Sequence, residues 1–223
     1  MVSREEPGGT RDVAVFSENL LSAALDAGWP LSADALARLA THYRLLRQWG
    51  RRTNLTGLRS PEAILKRHFL EPIAVADLFE GEGTLLDIGS GNGFPAIPLA
   101  ILHPDVRLVL IEASEKKSAF LWAVLREVGL KAAQVVTRRV CRRADLADLL
   151  PVLWFTFRGV KIGEPLSGPG PEILLPGGRM LAFLAAAAAN ELAAHPPEGL
   201  RWTTSRPLPM SPDDVVAVFE PSR

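Results

Sequence analysis

The stretch Thr84-Leu85-Leu86-Asp87-Ile88-Gly89-Ser90-Gly91-Asn92-Gly93-Phe94 decides how this chain reads. Its first five residues form a short, mostly apolar run, the pattern of a strand buried on both faces of a parallel sheet. Three glycines at alternate positions then allow a sharp turn and close approach to a ligand, because glycine has no Cβ and tolerates positive φ. Downstream, the spacing predicts a helix over 95–102, a strand over 106–111, a helix over 115–128 and a strand over 134–137. This β-α-β-α-β alternation predicts an α/β fold with a doubly wound sheet and helices on both faces. Strands over 153–157 and 179–184 are expected next, the second after a Gly/Pro-rich loop over 163–171 and the turn Pro176-Gly177-Gly178. An Ala-rich helix and a terminal hairpin pairing 202–205 with 215–219 complete the chain.

Upstream of Thr84 the period is helical. Ser17 is expected to cap a helix bearing Leu20, Leu21, Ala24 and Leu25, stopped by Gly28 and Pro30. Ser32 is expected to cap a second, with Leu36, Leu39, Ala40, Tyr43 and Leu46 on one face. Ser60-Pro61-Glu62 reads as N-cap, N1 proline and first-turn acid of a third, which runs through Ile64, Leu65, His68 and Phe69 and is kinked or divided at Pro72. The expected division is therefore an N-terminal helical region over 1–80 packed on an α/β core over 81–223.

Composition narrows the function classes. The 223 residues are 48% hydrophobic and 22% charged, which suits a buried core and excludes a disordered chain; 18 Gly and 18 Pro without a triplet period exclude a collagen-like one. The 25 basic residues balance the 25 acidic ones, so any nucleic-acid contact has to rest on local clustering. Such clustering exists: residues 41–70 carry Arg44, Arg47, Arg51, Arg52, Arg59, Lys66 and Arg67 against Glu62 alone, seven minus one, or +6. Lys116, Lys117, Arg138, Arg139, Arg142 and Arg143 form a second basic group. Both suit phosphate contacts, although a solvated helix face is the simpler reading of the first. The single Cys141 forms no internal disulfide and is expected to be an inert buried thiol. The first 16 residues lack an apolar signal core, and the longest apolar run, 180–189, is half a membrane span, so a soluble, cytoplasmic protein is expected.

Spacing selects the ligand. A dinucleotide turn needs G-x-G-x-x-G, whereas Gly89, Gly91 and Gly93 fall one residue too close for that pattern. Glu112, 21 residues after Gly91 at the end of the next strand, stands where a carboxylate can accept both hydroxyls of a ribose. The form D-x-G-x-G-x-G, from Asp87 through Gly93, resembles motif I of class I (Rossmann-like) S-adenosylmethionine methyltransferases. A turn without any ligand is the remaining alternative.

Further segments are similar to the RsmG family, also called glucose-inhibited division protein B. They are Trp49 with Asn54-Leu55-Thr56, Arg67-His68-Phe69-Leu70-Glu71, the run from Gly89 to Ala100, Leu110 to Lys117 leading to Phe120-Leu121, Arg139-Val140, Phe157-Arg158-Gly159-Val160 and Leu175-Pro176-Gly177-Gly178. The resemblance covers roughly residues 40–184. It implies S-adenosyl-L-methionine as cofactor and N7 methylation of a guanine in small-subunit (16S) ribosomal RNA, as naked RNA or in the assembled small ribosomal subunit. It places Asp87, Gly89, Gly91, Gly93 and Phe94 around the methionine and adenosine parts of the cofactor. Glu112 would hold the ribose, Val140 and Cys141 would flank the adenine, and Arg158 would sit by the cofactor and target base as the catalytic residue. RNA contacts are expected from Arg44, Arg47, Arg51, Arg52, Arg67, Lys116, Lys117 and Arg139, with no metal and a monomer as the default.

No Ser/His/Asp set or carboxylate pair is visible, and none is needed, since guanine N7 already carries a lone pair. His68, beside apolar neighbours, reads as a hydrogen-bonded packing residue, and the five Trp residues do not cluster into a base-stacking platform. The chain departs from the family pattern at Cys141 (usually acidic), Gly159 (alanine), Ala96 (glycine), Glu71-Pro72 (Asp-Ser) and Leu184-Ala185 (Lys-Gly). These departures bear on substrate recognition more than on the cofactor, and leave open a methyltransferase of the same fold acting on another RNA or a small molecule, or a non-catalytic RNA-binding relative.

Overall fold

The computed structural model describes residues 7–50, 53, 55–159, 166, 172–209 and 211–222. Arg51, Arg52, Asn54, Val160 and nearly all of the 163–171 loop lie outside the described residues. Helix α1 (Thr10–Asp26) starts about two turns earlier than its sequence suggested, with Gly9 rather than Ser17 at the N-cap position. Ser17 is no cap: its hydroxyl donates to the Val13 carbonyl one turn back, while the Asp12 carboxylate, favourable at a helix start, accepts from the Gly8 N–H at 2.7 Å. Helix α2 (Ala33–Trp49) begins at Ser32, whose side chain accepts from Ala35 N. Ser60 caps α3 (Pro61–Ile64) in the same way, with Pro61 and Glu62 in its first turn.

The expected kink at Pro72 takes a different form. Proline has no N–H to return to the carbonyl four residues earlier. Residues Leu65–Leu70 widen into a π-turn, the Glu71 N–H bonding to Lys66 O, before the short α4 (Glu71–Ile73). The four consecutive residues His68, Phe69, Leu70 and Glu71 are all buried, so this segment is enclosed on every side.

The core follows as strand β1 (Gly83–Ile88), helix α5 (Ala96–Leu102), β2 (Val106–Glu112), α6 (Glu115–Glu127), β3 (Ala133–Thr137), β4 (Val152–Arg158), β5 (Leu174–Ala185), α7 (Ala186–Ala194), β6 (Leu200–Leu208) and β7 (Ser211–Pro221). The seven strands lie in the order β3-β2-β1-β4-β5-β7-β6. Pairs from β3 to β5 are parallel, while β7 runs antiparallel to β5 and β6. Strand β5 begins before the expected turn: Val152 faces Leu174 but Trp154 faces Arg179, so Pro176-Gly177-Gly178 bulges out within the strand instead of preceding it. The terminal hairpin is longer than its apolar residues alone indicated, running from Leu200 to Pro221.

Alternation along the strands splits the core in two. Leu85, Leu108, Leu110, Trp154, Leu181 and Phe183 face one side, packed with Phe16, Leu20, Leu39, Tyr43 and Phe69 from the N-terminal helices and with α5 and α6. Leu86, Ile88, Val109, Ile111, Phe155 and Phe157 face the other, beneath Ala189 of α7 and Leu166. Helices thus cover both faces. Among the described residues no helix is long and apolar enough to cross a membrane.

Phe69 is fully buried, with its ring 4.8 Å from Phe16 and 4.9 Å from Phe94, both edge-to-face. Phe69→Ala is expected to cost about 3–5 kcal/mol by cavity formation. Urea denaturation followed by circular dichroism checks it, and a cost below about 1 kcal/mol would show that the helices upstream of β1 pack loosely on the sheet.

Candidate active site

Strand β1 ends at the turn Gly89-Ser90-Gly91-Asn92-Gly93-Phe94, where all three glycines have positive φ (70°, 52° and 86°). The turn hangs from the neighbouring strand: Gly89 N and Ser90 N both donate to Ile111 O, at 2.9 and 3.0 Å. Gly93 N closes it onto Ser90 O at 2.6 Å. A side chain at Gly93 would be strained by its φ of +86° and crowded, since an added Cβ would lie 2.5 Å from Ile97 Cδ1 and 3.3 Å from His42 Cε1.

Glu112, the last residue of β2, faces this turn. Its Oε2 accepts from Gly91 N and its Oε1 from Ser114 N, both at 2.8 Å. The carboxylate is therefore fixed in orientation, and each oxygen retains a second acceptor direction. Arg138 N donates to Glu112 O, which brings the segment after β3, with Val140 and Cys141, alongside. Val140 is half-buried. Cys141 is exposed, contrary to the expectation of a buried thiol, because Asp145 holds its N–H and that of Arg142 at the surface, at 2.9 and 3.1 Å.

Asp87 lies beneath the turn and is 1% exposed. Its Oδ1 accepts from Thr156 Oγ1 on the adjacent β4 at 2.7 Å, while Oδ2 has no hydrogen-bond partner. Burial pushes this carboxyl up to about 7; bonds from Thr156 and Ser90 pull it back and the Glu112 charge adds to the rise. Thr156, a hydroxyl inside an apolar strand, was the sequence signal for this contact and was not read as one.

Arg158 ends β4, one residue beyond the pairing of Phe157 with Ile88 that precedes the turn. Its guanidinium bonds the Glu71 carboxylate and the Arg67 carbonyl (2.6 Å) and lies 5.4 Å from the Phe183 ring centre. Burial lowers its pKa to about 10. Glu71 is fully buried and also accepts from Ser211 Oγ at 2.6 Å. The Glu71 departure is therefore no adjustment of a substrate surface; it anchors Arg158. At Gly159, φ is +67°, a conformation in which alanine is strained.

Two buried histidines brace the turn from the N-terminal side. His42, which the sequence reading passed over on the apolar face of α2, has Nε2 2.9 Å from Asn92 O. His68 has Nε2 3.0 Å from Thr56 Oγ1 and 3.2 Å from Asn92 Nδ2. Burial lowers the two pKa values to about 4 and about 3, with the charges of Arg158, His42 and Arg67 adding to the depression at His68.

The basic candidates differ in their engagement. Arg44 reaches Glu127 at 3.1 Å, Arg47 is mostly buried against Tyr43 and Asp12, and Arg67 pairs with Asp214 at 3.0 Å. Lys116 and Arg139 are exposed and Lys117 is half-buried, around the strand ends that carry Glu112. A cavity of about 600 Å³ bounded by Arg143, Arg179, Arg201 and Glu220 includes none of the turn residues; it lies by the amino-terminal part of β5.

A sheet in this order, a glycine turn at the carboxyl end of its first strand and an acid ending the second define a class I methyltransferase fold. Solved structures share it: ribosomal protein L11 methylase from Lactobacillus delbrueckii subsp. bulgaricus matches with a TM-score of 0.52 at 11% identity, over 69% of this chain and 78% of that one. Mitomycin 7-O-methyltransferase matches with 0.52 at 16%, over 86% and 74%. Within that fold, the family model described as rRNA small subunit methyltransferase G matches residues 35–201, and the chain belongs to that family. Curated relatives with the name ribosomal RNA small subunit methyltransferase G include one from Xanthomonas oryzae pv. oryzae, 35% identical over 192 residues (83% of this chain, 85% of the relative). Another, from Alkalilimnicola ehrlichii, is 37% identical over 172 residues (76% and 75%). A third, from Neisseria meningitidis serogroup B, is 39% identical over 134 residues, a match spanning 60% of this chain and 65% of the relative.

Two predictions follow from the charges buried here. Truncating Glu71 to Ala leaves Arg158 buried without its anion, at an expected cost of about 3–5 kcal/mol. The double variant Glu71→Gln/Arg158→Met should recover much of that loss; equal instability of both in urea melts would refute the pairing. The second prediction concerns acid. His42 and His68 contribute stability that is complete above their unfolded value of 6.5 and lost as pH falls toward 4. Asp87 acts in the opposite sense, because its native carboxyl takes up a proton near pH 7 but its unfolded one only near 3.8. Two protons favouring the unfolded chain against one favouring the fold leave one, or about 1 kcal/mol lost per pH unit between 6.5 and 4.5. Stability measured across that range should fall, and Asp87→Asn should steepen the fall.

Proposed function

We propose that this chain methylates N7 of a guanine in small-subunit (16S) ribosomal RNA, with S-adenosyl-L-methionine as methyl donor. The observation that carries the reading is the glycine turn tied to Glu112 at the carboxyl ends of β1 and β2, in a chain of the rRNA small subunit methyltransferase G family. The residues fit that cofactor. Gly91 leaves the turn's backbone unobstructed, Glu112 offers an oriented carboxylate to a ribose diol, and Asp87 keeps one buried carboxylate oxygen without a protein partner. Val140 and Cys141 are assigned to the nucleoside side, whereas the Phe94 ring, expected beside the cofactor, is buried between His42 and His68 and serves the packing of the turn.

Once bound, S-adenosyl-L-methionine supplies an electrophilic methyl on sulfur. Guanine N7 already carries a lone pair, so no residue has to remove a proton before attack. What the chain contributes is alignment and water exclusion, which can be worth up to about 7–11 kcal/mol in favourable cases. Arg158, held rigid by Glu71 and the Arg67 carbonyl, is assigned to the target-base side of the cofactor. A target guanine has to leave its stack to reach this position. Lys116, Lys117, Arg139, Arg67 and Arg44 are assigned to RNA phosphates, as are Arg51 and Arg52, which lie outside the described residues. Arg47, largely buried against Asp12 and Tyr43, contributes through packing.

The reading is tested by transfer of labelled methyl from S-adenosyl-L-methionine to undermethylated small ribosomal subunits and, separately, to naked 16S RNA. The labelled site is mapped by N7-specific strand cleavage. Label at one guanine is the expected result, and comparison of the two substrates shows which one the enzyme takes. Affinity for the RNA should fall steeply with salt. Glu112→Ala should weaken cofactor binding by about 10- to 100-fold, the effect of losing hydrogen bonds to a charged group. Arg158→Ala should reduce turnover, and full activity in that variant would remove it from the site. Cofactor binding without label in either RNA would move the acceptor to another RNA or a small molecule.

A further inference from the structure

Between the glycine turn and the N-terminal helices stand three stacked rings: Phe94 lies between His42, 4.3 Å away at 6°, and His68, 4.4 Å away at 9°. His42 comes from α2 and His68 from the π-turn. Both imidazoles meet the same residue. A carbonyl oxygen only accepts, so His42 donates from Nε2 to Asn92 O and is the neutral Nε2–H tautomer. Thr56 Oγ1 accepts from Leu58 N and lies 3.0 Å from His68 Nε2, and the Asn92 amide reaches the same nitrogen at 3.2 Å, so the one lone pair of an unprotonated Nε2 is shared between the two donors. Asn92 is thus held at its backbone by one ring and at its side chain by the other.

The arrangement has a cost. Nδ1 of both rings is buried with no hydrogen-bond partner, a loss that two leucines on the same apolar faces would not incur. That cost is borne where the turn is most constrained. Asn92 lies directly between Gly91, whose N–H holds Glu112, and Gly93, whose missing Cβ leaves the space that Ile97 and the His42 ring edge occupy. A displacement of Asn92 passes directly to the Gly91–Glu112 bond. Burial keeps both rings neutral, so the hydrogen-bonding pattern does not change across the neutral pH range.

We infer that His42 and His68 are positioning residues which, through Asn92, hold Gly91 and Glu112 in the geometry that receives the cofactor, and so connect the N-terminal helices to cofactor affinity. The inference rests on the S-adenosyl-L-methionine reading above. The test is isothermal titration of the full-length chain with S-adenosyl-L-methionine, because stoichiometry reports the folded fraction while Kd reports the site. His68→Leu and Asn92→Ala should each raise Kd by about 5- to 10-fold, the range expected for one lost hydrogen bond, at unchanged stoichiometry. The double variant should be no weaker than the poorer single, since both remove one shared contact. His68→Gln, which places an amide near the Nε2 position, should recover part of the affinity. Folded variants with the wild-type Kd, or a double variant whose effects multiply, would overturn the inference. Should His68→Leu fail to fold, the half-exposed turn residue Asn92 carries the test, with His42→Gln as its counterpart at the backbone contact. A wild-type chain that binds no S-adenosyl-L-methionine refutes the cofactor reading itself, and this inference with it.

Discussion

The contact on which the arrangement depends is the ion pair of Glu71 and Arg158. Glu71 is completely buried, and an isolated carboxylate in that position would be far too costly to ionise. Arg158 supplies the opposite charge, Ser211 satisfies the second carboxylate oxygen, and the Arg67 carbonyl takes a further guanidinium N–H. These four residues come from the π-turn segment, the end of β4 and the start of β7. The pair is therefore the joint at which the helical N-terminus, the parallel sheet and the antiparallel hairpin meet. A buried pair of this kind adds little net stability over a well-packed apolar contact, but either partner alone is strongly destabilising. Its value lies in fixing where Arg158 points.

From that joint the same segment reaches the glycine turn. His68 is three residues before Glu71, and both point into the structure where the helix widens ahead of Pro72. One stretch of backbone thus sets Arg158 through Glu71 and the turn through His68. Glu112 and Asp87 face the turn from the sheet side, the first oriented by two backbone N–H groups and the second by Thr156. The turn is confined from both directions, and its three glycines supply the conformations that such confinement requires.

The sheet side of this arrangement was legible in the sequence. An apolar run closed by alternating glycines, and an acid one βα unit later, are local patterns that need no knowledge of distant residues. The helical side was legible only in outline. Ser32 and Ser60 cap as their local sequences indicate, but Ser17 carries the same signal inside a helix, where its hydroxyl returns to the preceding turn. Pro72 announced a break without revealing that the break would bury His68 and Glu71. The decisive contacts join residues far apart in the chain, His42 to Asn92 across 50 positions and Glu71 to Arg158 across 87. No periodicity encodes such pairings. A polar residue in an apolar stripe, as at His42 and Thr156, was the one available sign that a partner had to exist. Cys141 misled for the converse reason: thiols are usually buried, and only the Asp145 contacts show that this backbone is held at the surface.

Charge balance explains why the joint is built from these residues. On the proposed reading the residues at the carboxyl ends of β1 and β2 would hold a cofactor that carries a cationic sulfonium, and Arg158 ends the adjacent β4. An uncompensated guanidinium there would repel the cofactor in a medium where charges are poorly screened. Glu71 cancels that charge from the protein side, and Glu112 places a carboxylate on the turn's other side. The histidines follow the same logic. Held neutral by burial, His42 and His68 supply hydrogen bonds and ring surface without adding positive charge, which lysine or arginine at either position would do. The site thereby combines rigid positioning with a potential that accepts a cation, and its basic residues are displaced outward to Lys116, Lys117, Arg139 and Arg67, where phosphates rather than the reacting methyl would meet them.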